Sequence, residues 1–200
     1  MKLKTHNIFT TGILTVIGSF FTNPLTSLIS ASLLSLMVNQ IIDTLGHKRV
    51  YKSKISGLPL KRIGGRKRKK DNDDGSYLVR TPLTHTITRS VFWGLIPAVI
   101  LFLLFGSLDK LPALHLNGYQ PYWILLQGIF AGPLHMCLDI ITEGGIFRRK
   151  NNKFVRFAVA HIAYDDLFWN VFFQFAGLGF VFLIFYSHGL LSGGHYGRII

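Results

Sequence analysis

Cysteine is almost missing. Cys137 is the only one in 200 residues, so no intrachain disulfide and no CxxC metal motif is available, and it reads as a small apolar residue in a helix. Acidic residues are few, nine against 22 lysines and arginines, which gives a formal charge of +13. No internal repeat of fixed period runs through the chain. Charge is absent altogether from several long stretches, and this excludes an ordinary soluble domain, whose apolar residues fall in amphipathic stripes.

Those uncharged stretches are what the chain has instead. Residues 167–187 contain no charged residue or histidine and carry seven phenylalanines, long enough for the roughly 20 apolar residues that cross a bilayer. Residues 90–108, 24–42 and 122–138 also qualify. The last of these contains Gly128, Gly132, Pro133 and His135, which predicts a broken or tightly packed helix. Residues 8–21 are the shortest run, and Asn23-Pro24 turns it into the next to make a helical hairpin. The sequence therefore predicts a single all-α membrane domain over residues 1–200, an integral membrane bundle of about five hydrophobic helices.

Positive charge is concentrated in two segments. Residues 48–80 hold twelve lysines and arginines, and residues 148–156 hold five more. The positive-inside rule makes both cytoplasmic, together with the N-terminus that bears Lys2 and Lys4. Residues 48–80 are rich in Gly, Lys and Arg and include Asp71, Asp73 and Asp74. Such a stretch cannot bury enough apolar surface to fold alone, so a mobile loop is expected. It serves either as a solvated topology determinant or as a clamp for anionic headgroups or nucleic acid. No aromatic residue interleaves with the basic cluster at residues 66–70, which argues against base stacking.

Ionisable groups in spanning segments are costly and functional, so their positions were mapped onto this topology. Asp43, Asp139, Glu143, Asp165 and Asp166 fall on the basic-loop side, as do His6, His47, His85, His135 and His161. Of the acids outside the loop, Asp109 alone falls on the other side. Asp43/His47, His135/Asp139 and His161/Asp165 are each four residues apart, which puts an imidazole and a carboxylate on one face of a helix. Imidazole with carboxylate is the ligand set of zinc, manganese and iron centres. The plain alternative for each pair is a charge contact at a helix end. Arg89 follows His85 by one turn, where it either binds an oxyanion or snorkels to the interface. Asp166, Asn170 and Gln174 form an i, i+4, i+8 stripe expected to face the bundle interior, as helix glue or as a wall of the site.

The order of four motifs resembles a known family. They are Thr5-His6, Asp-x3-His (Asp43, His47) ahead of the basic stretch, R-x3-THT over residues 80–86, and H-x3-D-x2-T-x2-G (His135, Asp139, Thr142, Gly145). In that order they resemble the YdjM-like family of membrane-bound metal-dependent hydrolases, and more closely its archaeal relatives of unknown function. Val79 and Thr81 stand where that family has histidine and glycine. The group is also distantly similar to zinc-dependent phospholipase C. The resemblance implies metal ligation by His6, Asp43, His85, His135 and Asp139, with His47 beside them, and phosphoester hydrolysis.

Taken together, the sequence reading is a membrane-bound hydrolase that uses one or two divalent transition metals, zinc before manganese or iron. His6, Asp43, His47, His85, His135, Asp139, His161 and Asp165 are the candidate ligands. Glu143 or Asp166 would act as general base, and Arg89 or Arg80 would bind phosphate. The substrate expected at headgroup depth is a lipid or isoprenoid phosphate at the cytoplasmic face. The competing reading is a non-enzymatic membrane scaffold whose basic loop recruits an acidic partner or nucleic acid. A transporter is disfavoured because few polar residues lie near mid-membrane.

Overall fold

The computed structural model describes residues 1–51, 76–108 and 122–189. Among them are five helices, α1 (Leu3–Ser19), α2 (Pro24–Gly46), α3 (Ile87–Leu108), α4 (Tyr122–Ile140) and α5 (Leu167–Ser187). The fold is the all-α bundle that the apolar runs predict. α2, α3, α4 and α5 are each long and apolar enough to cross a membrane. The basic cluster at residues 66–70, the acids at 71–74, Asp109 and Arg198 lie outside the described residues. So does most of the loop expected to be mobile.

Local chemistry starts the helices where the sequence places their breaks. Asn23 accepts from the Thr26 backbone N–H at 2.8 Å, and Pro24 occupies the first helical position of α2, where a missing N–H costs nothing. Asp166 caps α5 in the same manner through Trp169. Pro133 does not break α4, which runs unbroken from Tyr122 to Ile140.

α1 is the shortest and most polar helix, and its packing explains why. It lies against α2, α5 and α4, so the face that would meet lipid in the other helices meets protein. Thr5, His6, Thr10 and Thr15 on it are fully or almost fully buried. The Ser27 hydroxyl donates to the Thr15 carbonyl, and the Gln127 amide donates to that of Leu14. A Cβ on Gly12 would strike the backbone of Gly177, and one on Gly177 the backbone of Ile8 and Phe9. Small residues thus let α1 and α5 approach at backbone distance. α5 otherwise turns its phenylalanines outward, with only Asn170 and Gly177 buried.

Two hairpins depart from the sequence expectation. β1 (His47–Tyr51) pairs antiparallel with β2 (Ser76–Arg80), in a register that sets His47 opposite Arg80. The ends of the basic loop are therefore strand. β3 (Ile146–Lys150) pairs with β4 (Lys153–Phe157). Asn151 and Asn152 have φ of 48° and 57°, the left-handed pair a two-residue type I′ turn needs. In both segments the dense positive charge hides the strand pattern.

The helices alternate in direction, so the start of α1, the end of α2, the start of α3, the end of α4 and the start of α5 meet at one end. Backbone bonds tie them. Thr81 N–H donates to Gly46, Phe147 N–H to His85, and Val159 N–H to Ile140. Residues 161–166 are not helical, and His161 has φ of 52°. His161 and Asp165 therefore do not share a helix face, contrary to the reading from their spacing.

Candidate metal centre

Asp139 sits in the last turn of α4, one turn beyond His135, and both are completely buried. α1 brings His6 to them, and the turn before α3 brings His85. His6 Nε2 lies 3.4 Å from Asp139 Oδ1, while His85 Nε2 and His135 Nε2 lie 3.5 and 3.3 Å from Oδ2. The His6 and His135 rings stack with centroids 3.9 Å apart. His135 Nε2 is also 3.6 Å from Asp43 Oδ1 at the end of α2. Four ligands around a zinc-sized ion at 2.0–2.1 Å stand about 3.4 Å from one another. The spacings match that edge.

Hydrogen bonds on the far side of each ring determine which atoms point inward. The Thr84 hydroxyl donates to the Ile42 carbonyl at 3.0 Å, so it accepts from His85 Nδ1 at 2.9 Å. That places the ring proton on Nδ1 and leaves a lone pair on Nε2. Asn39 donates through its amide to Asn7 Oδ1 and Ser35 Oγ, so its own Oδ1 accepts from His135 Nδ1 at 3.0 Å. His135 Nε2 is thereby a lone pair as well. His85 Nε2, His135 Nε2 and Asp139 Oδ2 are buried without a hydrogen-bond partner. Three acceptor atoms facing one another in a dry interior repel unless a cation lies among them.

Burial, partly offset by the Asp139 carboxylate, pushes His85 down to about 3. The ring is therefore neutral near pH 7 and its lone pair is available.

A second group adjoins the first. Asp43, His47 and His85 each offer a ligand atom within 4.8 Å of the others, as do His6, His135 and Asp139. Asp43 is 27% exposed. The His47 Nδ1–H donates to the Asp43 carbonyl at 2.6 Å, which again turns Nε2 away as an acceptor. The buried His/Asp group can hold a metal ion.

The remaining candidates fall in different places. Arg80 reaches the centre as a partner of Asp139, donating from Nη2 to Oδ1 at 2.8 Å and from Nη1 to the Gly145 carbonyl at 2.9 Å. Arg89 points away from it, donating to the Pro82 carbonyl and lying over Phe154. Asp166 is the α5 cap, and the Asn170 and Gln174 below it bond to Thr5 of α1. Glu143 is exposed just past α4, with its backbone N–H held by Ile162. His161 and Asp165 are exposed and belong to neither ligand group.

Two supporting residues escape a reading by spacing. Asn39 and Thr84 belong to neither ligand group, and their bonds to the histidine Nδ1 atoms reveal their roles. Gly46 is a third, because a Cβ there would collide with Thr84 Oγ1 and the His85 ring. For Thr84 a signal existed in its place immediately before His85. Asn39, one helical turn before Asp43, carried none.

Comparison with known proteins adds a family. The chain belongs to the family described as protein of unknown function (DUF1286), which it matches over residues 1–62 and 50–138. No curated protein and no solved structure matches it. The matched residues include His6, Asp43, His47, His85 and His135 and stop one short of Asp139.

Proposed function

We propose that this protein is a membrane-bound, metal-dependent hydrolase of phosphoesters, with its centre at the cytoplasmic end of the bundle. The observation that carries the reading is the set of buried, proton-free acceptors His85 Nε2, His135 Nε2 and Asp139 Oδ2 directed at one another. His6, His135 and Asp139, with Asp43, His47 and His85 beside them, would hold the metal. Their nitrogen and oxygen mixture suits zinc first, then manganese or iron. A bound ion supplies a Lewis acid that makes water nucleophilic near neutral pH and polarises a phosphoryl oxygen.

The residues of the chain divide the remaining work. Arg80 pairs with Asp139 and orients it. With Asp166 engaged in capping α5, Glu143 is assigned as the carboxylate that takes a proton at the rim. The motif order shared with the YdjM-like hydrolases supports the same chemistry. A site at the end of apolar helices favours a substrate with a phosphorylated head and an apolar tail, such as a lipid or isoprenoid phosphate. The cytoplasmic side follows from the basic segments 48–80 and 148–156.

Metal analysis of the detergent-purified protein, followed by phosphate release from lipid and isoprenoid phosphates, tests the reading. Stoichiometric transition metal and turnover that disappears with chelator and with Asp139→Asn are expected. Protein that takes up no zinc, manganese or iron on reconstitution would be a scaffold instead.

A further inference from the structure

We propose that the centre holds two ions of unequal lability: an inner ion on His6, His135 and Asp139, and an outer ion on Asp43, His47 and His85. This deepens the metal-dependent reading above and rests on it. The first argument is donor number. Six side chains offer ligand atoms in two touching groups, whereas a tetrahedral ion accepts four ligands and a catalytic one keeps a position open. A single ion would leave at least two acceptors stranded beside it.

Orientation is the second argument. His47 and His85 each have Nδ1 fixed by an oxygen of their own neighbourhood, the Asp43 carbonyl and the Thr84 hydroxyl. Both Nε2 atoms are thus lone pairs, and that of His85 is buried with no partner. Contiguity is the third. Asp139 Oδ2 faces one histidine from each group, His135 at 3.3 Å and His85 at 3.5 Å, and Asp43 Oδ1 reaches across to His135 at 3.6 Å. Two-metal centres, whose ions stand about 3.5–4 Å apart, need ligand sets that touch in this way.

Burial separates the two positions. All three inner ligands are fully enclosed, whereas Asp43 and His47 of the outer group are partly open to solvent. The outer ion exchanges first and is the one that a substrate phosphate meets.

Zinc-reconstituted protein in detergent should contain about two equivalents by elemental mass spectrometry, and a chelator should remove them in two phases of similar amplitude. His47→Ala and Asp43→Asn, which each change a ligand of the outer group and leave His6, His135 and Asp139 in place, should each retain about one equivalent and show the slow phase alone. One equivalent released in a single phase from the unmodified protein overturns the two-ion proposal and leaves the hydrolase reading standing. So do two equivalents kept by both variants. Zero equivalents in the unmodified protein removes both readings. The release kinetics of the unmodified protein decide the matter even if a variant does not fold.

Discussion

Arg80 and Asp139 form a largely buried ion pair, with Nη2 2.8 Å from Oδ1 and the Arg80 side chain only 15% exposed. The pair decides which carboxylate oxygen is left to His85 and His135, whereas Oδ1 is shared by the guanidinium and His6 Nε2 at 3.4 Å. By occupying Oδ1, Arg80 leaves Oδ2 as the acceptor turned toward His85 and His135.

Removing that guanidinium should therefore cost both stability and metal. Arg80→Ala leaves a fully buried carboxylate without its cation, a change worth about 3–5 kcal/mol in comparable buried pairs. Thermal unfolding of the metal-free protein in detergent measures the loss. Arg80→Lys restores charge without the two-pronged geometry and should recover only part of it. Equal stability for all three proteins would show that Asp139 is held by something else.

Asn39 is predicted to control affinity from outside the coordination sphere. It accepts the His135 Nδ1 proton at 3.0 Å, and partners of this kind change metal affinity by about 10–100-fold when lost. Asn39→Leu should release zinc to a competing chelator at correspondingly lower chelator concentration. An unchanged competition curve would sink the assignment of the His135 tautomer.

Two glycines make a matched pair of opposite sign. Gly46→Ala drives a methyl group against Thr84 Oγ1 and the His85 ring and should destabilise by about 1–3 kcal/mol, with loss of bound metal. Gly179, inside α5, has open space around it, so Gly179→Ala should be neutral or stabilising by up to about 1 kcal/mol. Melting temperatures of both variants with and without zinc provide the comparison.

The polar stripe on α5 anchors α1. Asn170 Oδ1 accepts from the Thr5 hydroxyl at 2.7 Å and from the Lys2 N–H at 3.0 Å. Asn170→Leu leaves the buried Thr5 hydroxyl without this acceptor and should cost about 1–3 kcal/mol. Because Thr5 precedes His6, the same variant should weaken zinc binding, whereas Asn170→Asp, which keeps the acceptor, should weaken it less. Identical zinc affinity in both would uncouple the anchor from the site.

Much of this architecture was legible from residue order. Uncharged runs located α2 to α5, and the pairs Asp43/His47 and His135/Asp139 marked groups that the fold brings together. The third pair misled because four-residue spacing has meaning only on a helix, and the chain from His161 to Asp166 is extended and turned. Arg89 misled for a related reason. It lies one turn from His85 in sequence, but His85 precedes α3, so the two do not share a helical face. The hairpins were hidden by their own charge, which topology rules interpret before strand patterns do. Asn39 was illegible because its contribution is to fix a proton on the far side of a ligand, and no spacing encodes that; Thr84 does the same but stands directly before His85.

The position of His6 on α1 has a consequence for how the protein comes to exist. That residue precedes its partner Asp139 in the chain, and Asp139 closes the fourth helix. Until α4 lies beside α1, His6 has nothing to face, and the group of His6, His135 and Asp139 is incomplete. A metal held on His6 and Asp139 would therefore arrive after α4 is set beside α1, as a late fastening of helices placed without it. Maturation would then depend on the supply of the ion in the compartment that this end of the bundle faces.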